Sequence, residues 1–156
     1  MGGGELLSDL VKSAAVRRYP VVLVDISHEP LPSRASVAQE AAAMGLAVVD
    51  VRKDLLAPSG GKLLGAYTRR EFVNWMRQVA IDRGGAVFIN PDELVGSWSE
   101  QDQMRFFREL LRQELPVIDV ESCTRVVMVL ASARGDVVQP DWVSEQKDGC
   151  GILAHY

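Results

Sequence analysis

Val21 to Ser36 reads VVLVDISHEPLPSRAS, an unbroken apolar run closed by an acid and followed by a polar, proline-rich loop. A run that is apolar at every position has both faces buried, as in a strand of a parallel sheet covered by helices on either side. Leu46 to Val51 and Ala86 to Asn90 have the same form. Between these runs the spacing turns helical. Ser33 or Ser36 is placed to cap a helix through VAQEAAAM, and Gly45 stands where a helix end wants a left-handed residue. Thr68 with Glu71 forms a capping box ahead of Phe72, Val73, Met76, Val79 and Ala80, a face ended by Gly84 and Gly85. Ser99 with Asp102 is a weaker version ahead of Met104, Phe106, Phe107, Leu110 and Leu111. A leading helix over Leu6 to Ala15, a strand over Thr124 to Ser132 and a short edge strand within Gly151 to Tyr156 complete the pattern. The alternation predicts an α/β fold: three layers, doubly wound, around a mainly parallel sheet.

The chain has 156 residues, 47% of them apolar and 24% charged, which suits one domain with a single core over residues 1–156. Residues 1–5 are expected to be a flexible start, residues 56–67 a long loop and residues 135–149 an irregular segment anchored by Trp142. Lys plus Arg total 17 against 21 for Asp plus Glu, a net charge of −4. That balance disfavours nucleic-acid binding by a generally basic surface and leaves room only for a local patch. The 2 cysteines, Cys123 and Cys150, show no metal-site or disulfide spacing, so a reducing, cytoplasmic setting is expected. No basic stretch leads into an apolar run at the start, and VVMVLASA is far too short to span a bilayer, so no membrane partner is expected.

In a doubly wound fold, ligands bind beyond the carboxyl ends of the strands. The residues there are Asp25, Ser27 and His28 after the first run, Asp50, Arg52 and Lys53 after the second, Asn90, Asp92 and Glu93 after the third, and Ser132, Arg134 and Asp136 after the fourth. A phosphate-cradling loop needs glycines so that several N–H groups can point at one ligand, together with a Lys and a hydroxyl at the helix start. The loop after Asp25 has no glycine, and Pro30 and Pro32 each remove a donor. Ser33, Arg34 and Ser36 are the only residues left there to contact a nucleotide, and Arg does not reproduce the point charge of Lys. AVFI followed by NPDE resembles an apolar strand ending in an acidic pair for magnesium, but the position nearest the metal is the neutral Asn90. Asp92 and Glu93 follow Pro91, where a turn with an acidic helix start is the plainer reading. GGK at Gly60 to Lys62 is followed by Leu63 rather than a hydroxyl residue, and is read as loop.

From Tyr19 to Ser132 the layout resembles a small P-loop NTPase core of the RecA/AAA+ kind. Within that group it most resembles the small P-loop protein of BREX phage-defence systems (BrxF-like), through VVLVD, VVDVRKDLL, AVFINPDELVGSW and RVVMVLAS. That resemblance implies an intact phosphate loop and an Asp ending the acidic strand, and this chain departs from both. ATP and magnesium are therefore disfavoured as cofactors, and no metal site is expected.

Three functional readings follow. The first is a non-catalytic accessory subunit of a multiprotein complex, with Trp75, Trp98 and Trp142 as partner contacts; Trp75 sits one position before Met76, off the main apolar face of its helix. The second is a P-loop-type NTPase or magnesium-dependent hydrolase using Asp25, His28, Asp92 and Glu93, with His28 as a general base. The third is nucleic-acid contact through Arg52, Lys53, Lys62, Arg69 and Arg70, five basic residues close together in an acidic chain.

Overall fold

Successive residues of a strand face opposite ways, so a strand that is apolar throughout must find two cores. The computed structural model, which describes residues 7–25, 32–56, 68–132 and 152–155, shows both. The chain runs through helix α1 (Leu7–Ala15), strand β1 (Val21–Asp25), α2 (Pro32–Ala43), β2 (Ala47–Asp50), a π-helical turn (Arg52–Leu56), α3 (Arg69–Arg83) and β3 (Ala86–Ile89). It continues through α4 (Asp92–Val95), α5 (Glu100–Leu110), β4 (Val117–Asp119), β5 (Thr124–Arg125), β6 (Met128–Ser132) and β7 (Ile152–His155). The main sheet has the order β2-β3-β6-β1-β7, and every neighbouring pair is parallel.

Val21, Leu23, Phe88, Met128 and Leu130 face one core, shared with Phe72, Val73 and Met76 of α3 and Phe106, Phe107 and Leu110 of α5. Val22, Val24, Val87, Val129 and Ala131 face the other, shared with Leu10, Ala14 and Ala15 of α1 and Val37 and Ala41 of α2. The chain is thus a three-layer, doubly wound α/β domain. The layers differ in kind. The α1/α2 side is closed by small and β-branched side chains, whereas the α3/α5 side is filled by aromatics.

Helix ends follow local chemistry. The Thr68 hydroxyl accepts from the Glu71 N–H at 3.2 Å and donates to the Glu71 carboxylate at 3.1 Å. Ser99 accepts from the Asp102 N–H at 3.2 Å. Gly84 closes α3 at φ 71°, and Gly85 follows at φ 122°, where an added Cβ would lie 2.8 Å from the Leu46 side chain. That close approach lets Ala47 donate to the Gly85 carbonyl at 3.2 Å as β2 sets out beside β3.

Three expectations are corrected. α2 begins at Pro32, whose fixed φ and missing N–H suit a first helical position, so Ser33 and Ser36 lie inside the helix and do not cap it. The run from Thr124 to Ser132 is two strands rather than one. Thr124 and Arg125 pair antiparallel with β4 in a separate ribbon, and the chain joins the main sheet only at Met128, which donates to the Pro20 carbonyl at 3.1 Å. The loop expected over residues 56–67 loses Leu56, which closes the π-helical turn. Residues 57–67, like the expected flexible start and the irregular 135–149 segment, lie outside the described residues. β7 pairs with β1 as the edge strand expected within Gly151 to Tyr156. No helix among the described residues is long and apolar enough to cross a membrane.

Candidate functional site

Register brings the strand ends into one row. Asp25 stands beside Ser132 on one side and His155 on the other, and Asp50 stands beside Ile89. His155 lies far from Asp25 in the sequence, and only the β7 register sets it level with that residue. Ser33 and Arg34 fall in the first turn of α2, and Ser36 lies one position beyond it. His28, Lys62 and Trp142 lie outside the described residues.

Asp50, Asp92 and Glu93 are engaged by other groups of the protein. Asp50 accepts from the backbone N–H groups of Arg52 at 3.0 Å and Lys53 at 3.3 Å, and so holds the turn that leaves β2. Its second oxygen accepts from the Asn90 side-chain amide at 3.1 Å. Asn90 takes a left-handed φ of 56°, a conformation that Asn tolerates better than most residues. Asp92 opens α4 and accepts from the Ser132 hydroxyl at 2.8 Å, tying the end of β6 to the segment after β3. Glu93 lies 3.6 Å from the Arg52 guanidinium. Arg52, Asn90, Asp92 and Glu93 line a cleft of about 230 Å³. Among the described residues no group of three or more His, Cys, Asp or Glu side chains is placed to hold a metal ion. At the end of β3 the rim carries an amide, Asn90, and the Asp50 and Asp92 carboxylates hold a turn and a strand end.

The expected partner-contact tryptophans turn inward in part. Trp75 stacks on Phe72 with ring centroids 6.0 Å apart and meets Phe88 edge-on at 5.8 Å. Trp98 meets Phe106 at 5.2 Å and Phe72 at 6.1 Å. Both are half-buried against the α3/α5 core, so only part of each ring is left for solvent.

The expected basic patch divides. Arg52 belongs to the rim cleft, Lys53 is exposed beside it, and Arg69 and Arg70 enter a second and larger groove. That groove, of about 440 Å³, is lined by Arg69, Arg70, Arg105, Arg108, Glu109, Arg112 and Gln113. α5 supplies Arg105, Arg108 and Glu109, which lie within one turn on one helix face, and Arg112 and Gln113 follow just beyond its end at Leu110. The opposite face carries Phe106, Phe107 and Leu110 into the core. Arg69 joins the walls: it pairs with Glu109, and its Nε lies 3.9 Å from Asp102. The α5 arginines escaped a search for runs of basic residues, since they lie 35 or more positions beyond Arg70. The signal that could have found them is the helical period of charge opposite the phenylalanines.

No protein family's sequence profile matches the chain, and no curated protein matches it. One solved structure is similar in outline: a replication initiator DnaA bound to AMPPCP and single-stranded DNA, at a TM-score of 0.41 and 16% identity. The alignment covers 100% of this chain and 47% of that one, so the chain spans about half the length of that structure.

Proposed function

We propose that this chain is a non-hydrolytic accessory subunit, a nucleotide-fold scaffold that acts by contact within a larger assembly. The observation that carries this reading is the state of the rim. Where a P-loop NTPase would set out an acidic strand end for magnesium and water, this chain has Asn90 bonded to Asp50, Asp92 bonded to Ser132 and Glu93 beside Arg52. The β4/β5 ribbon adds support, since Ile118 is 60% exposed and Val120 83% exposed at its tip. Adjacent exposed aliphatic residues of this kind mark contact surfaces more often than isolated ones. The sequence resemblance to the small P-loop protein of BREX systems is what points this assembly toward phage defence. The alternative of an NTPase or magnesium-dependent hydrolase would have to work through the same rim.

Calorimetric titration with ATP and Mg²⁺ tests the reading. The expected outcome is no binding in the micromolar range and no ATPase activity. A turnover rate abolished by Asp92→Ala or Glu93→Ala would overturn it.

A further inference from the structure

We propose that the arginine groove between the start of α3 and the outer face of α5 is a phosphate-binding surface for a nucleic-acid backbone. It goes beyond the accessory-subunit reading: an ATPase result would leave it standing, and its own failure would leave that reading intact.

Three observations carry it. The first is charge against background. The chain is −4 overall, yet the groove lining sets five arginines against one glutamate. Like charges three and four positions apart on a helix destabilise it by a few tenths of a kcal/mol per pair. Arg105 and Arg108 are such a pair, three positions apart on α5, which a bound polyanion would relieve.

The second is residue type. Every basic group among the described lining residues is an arginine. The guanidinium fork donates two parallel hydrogen bonds to phosphate oxygens and is more weakly hydrated than an ammonium, so it gives up water at lower cost. Arg69, held by Glu109 and Asp102, fixes the wall, and Gln113 adds an amide of the kind that bonds phosphate oxygens.

The third is shape. Arg105 and Arg108 stand one turn apart on the outer face of α5, and Arg112 follows in the turn beyond it, so the guanidinium groups form a row along the groove. Among the described residues, every side chain lining the groove is charged or an amide. A peptide partner normally needs a pocket for a hydrophobic anchor, and a sugar-phosphate backbone needs none. The described lining residues likewise include no aromatic, which favours contact with the backbone over stacking on bases and predicts binding without sequence preference.

Fluorescence anisotropy with a short labelled duplex of mixed sequence, titrated with the full chain at several salt concentrations, tests the proposal. Affinity is expected to fall steeply with salt, with a log–log slope of about −0.9 for each phosphate neutralised. The triple variant Arg70→Gln/Arg105→Gln/Arg112→Gln should flatten that slope by about one for each contact removed. All three positions are exposed, so its melting temperature should match or exceed the parent's. Arg52→Gln/Lys53→Gln, away from the groove, should bind like the parent. Absence of binding at low salt would overturn the proposal, as would an unchanged slope in the triple variant. So would displacement of the duplex, at equal charge, by tripolyphosphate or by an oligoglutamate peptide, which would make the groove a small-polyphosphate or an acidic-peptide site instead.

Discussion

Asn90 concentrates the chemistry of the rim in one residue. A neutral amide at the end of β3 can donate to Asp50 from a left-handed backbone, and an Asp there would set a second carboxylate against the first. Asn90→Asp restores the acid that an NTPase strand would carry, yet it should lower stability by about 1–3 kcal/mol, because the part-buried Asp50 oxygen loses its donor and gains a like charge. Urea unfolding of the two proteins measures this. Equal or greater stability in the variant would show that Asp50 and Asn90 are not coupled. That Asn90 is neutral was legible in the sequence. Its partner was not, since Asp50 stands forty positions earlier and reaches it only because β2 and β3 pair in register.

At the scale of elements, legibility tracked how local the cause is. The caps at Thr68 and Ser99 and the closing glycines of α3 were readable because each acts within a turn of its own position. The β4/β5 ribbon is not legible in the sequence because its strands are only three and two residues long, with β4 exposed and β5 half-buried, too short to show a period. α5 was read as an apolar face only, and its arginine face passed unremarked. The aromatic contacts between α3 and α5 show what joins these helices: Phe106 meets Phe72 at 5.4 Å, Trp98 at 5.2 Å and Phe107 at 5.1 Å. Phe106→Ala should therefore cost about 3–5 kcal/mol, near the whole stability of many domains of this size. It should also loosen both helices that form the arginine groove. Thermal melting monitored by circular dichroism checks the first effect, and a loss below about 1 kcal/mol would mean that the cluster repacks around the gap.

For the molecule as a whole, the uneven layers separate possible roles by place. The aromatic layer carries the arginine groove on its outside, Asp50 and Asp92 at the rim are bonded within the protein, and the separate β4/β5 ribbon exposes Ile118 and Val120. If the ribbon is the contact that seats this subunit in an assembly, Ile118→Lys/Val120→Lys should leave the melting temperature unchanged, since exposed substitutions usually move stability by no more than about 0.5 kcal/mol. The same variant should lose the subunits that co-purify with the parent chain from its native cells. Retention of those subunits would place the contact elsewhere. The sequence by itself determined the strand-and-helix alternation, the doubly wound class and the missing glycines of the first loop, because hydrophobic period, capping and turn chemistry act over a few residues. Only the tertiary structure decided which charges meet. It sent Arg52 to the rim and Arg69 and Arg70 to the α5 arginines, and it engaged the acids with partners forty residues away, because side-chain encounters depend on strand order and helix docking, which no short stretch of sequence encodes.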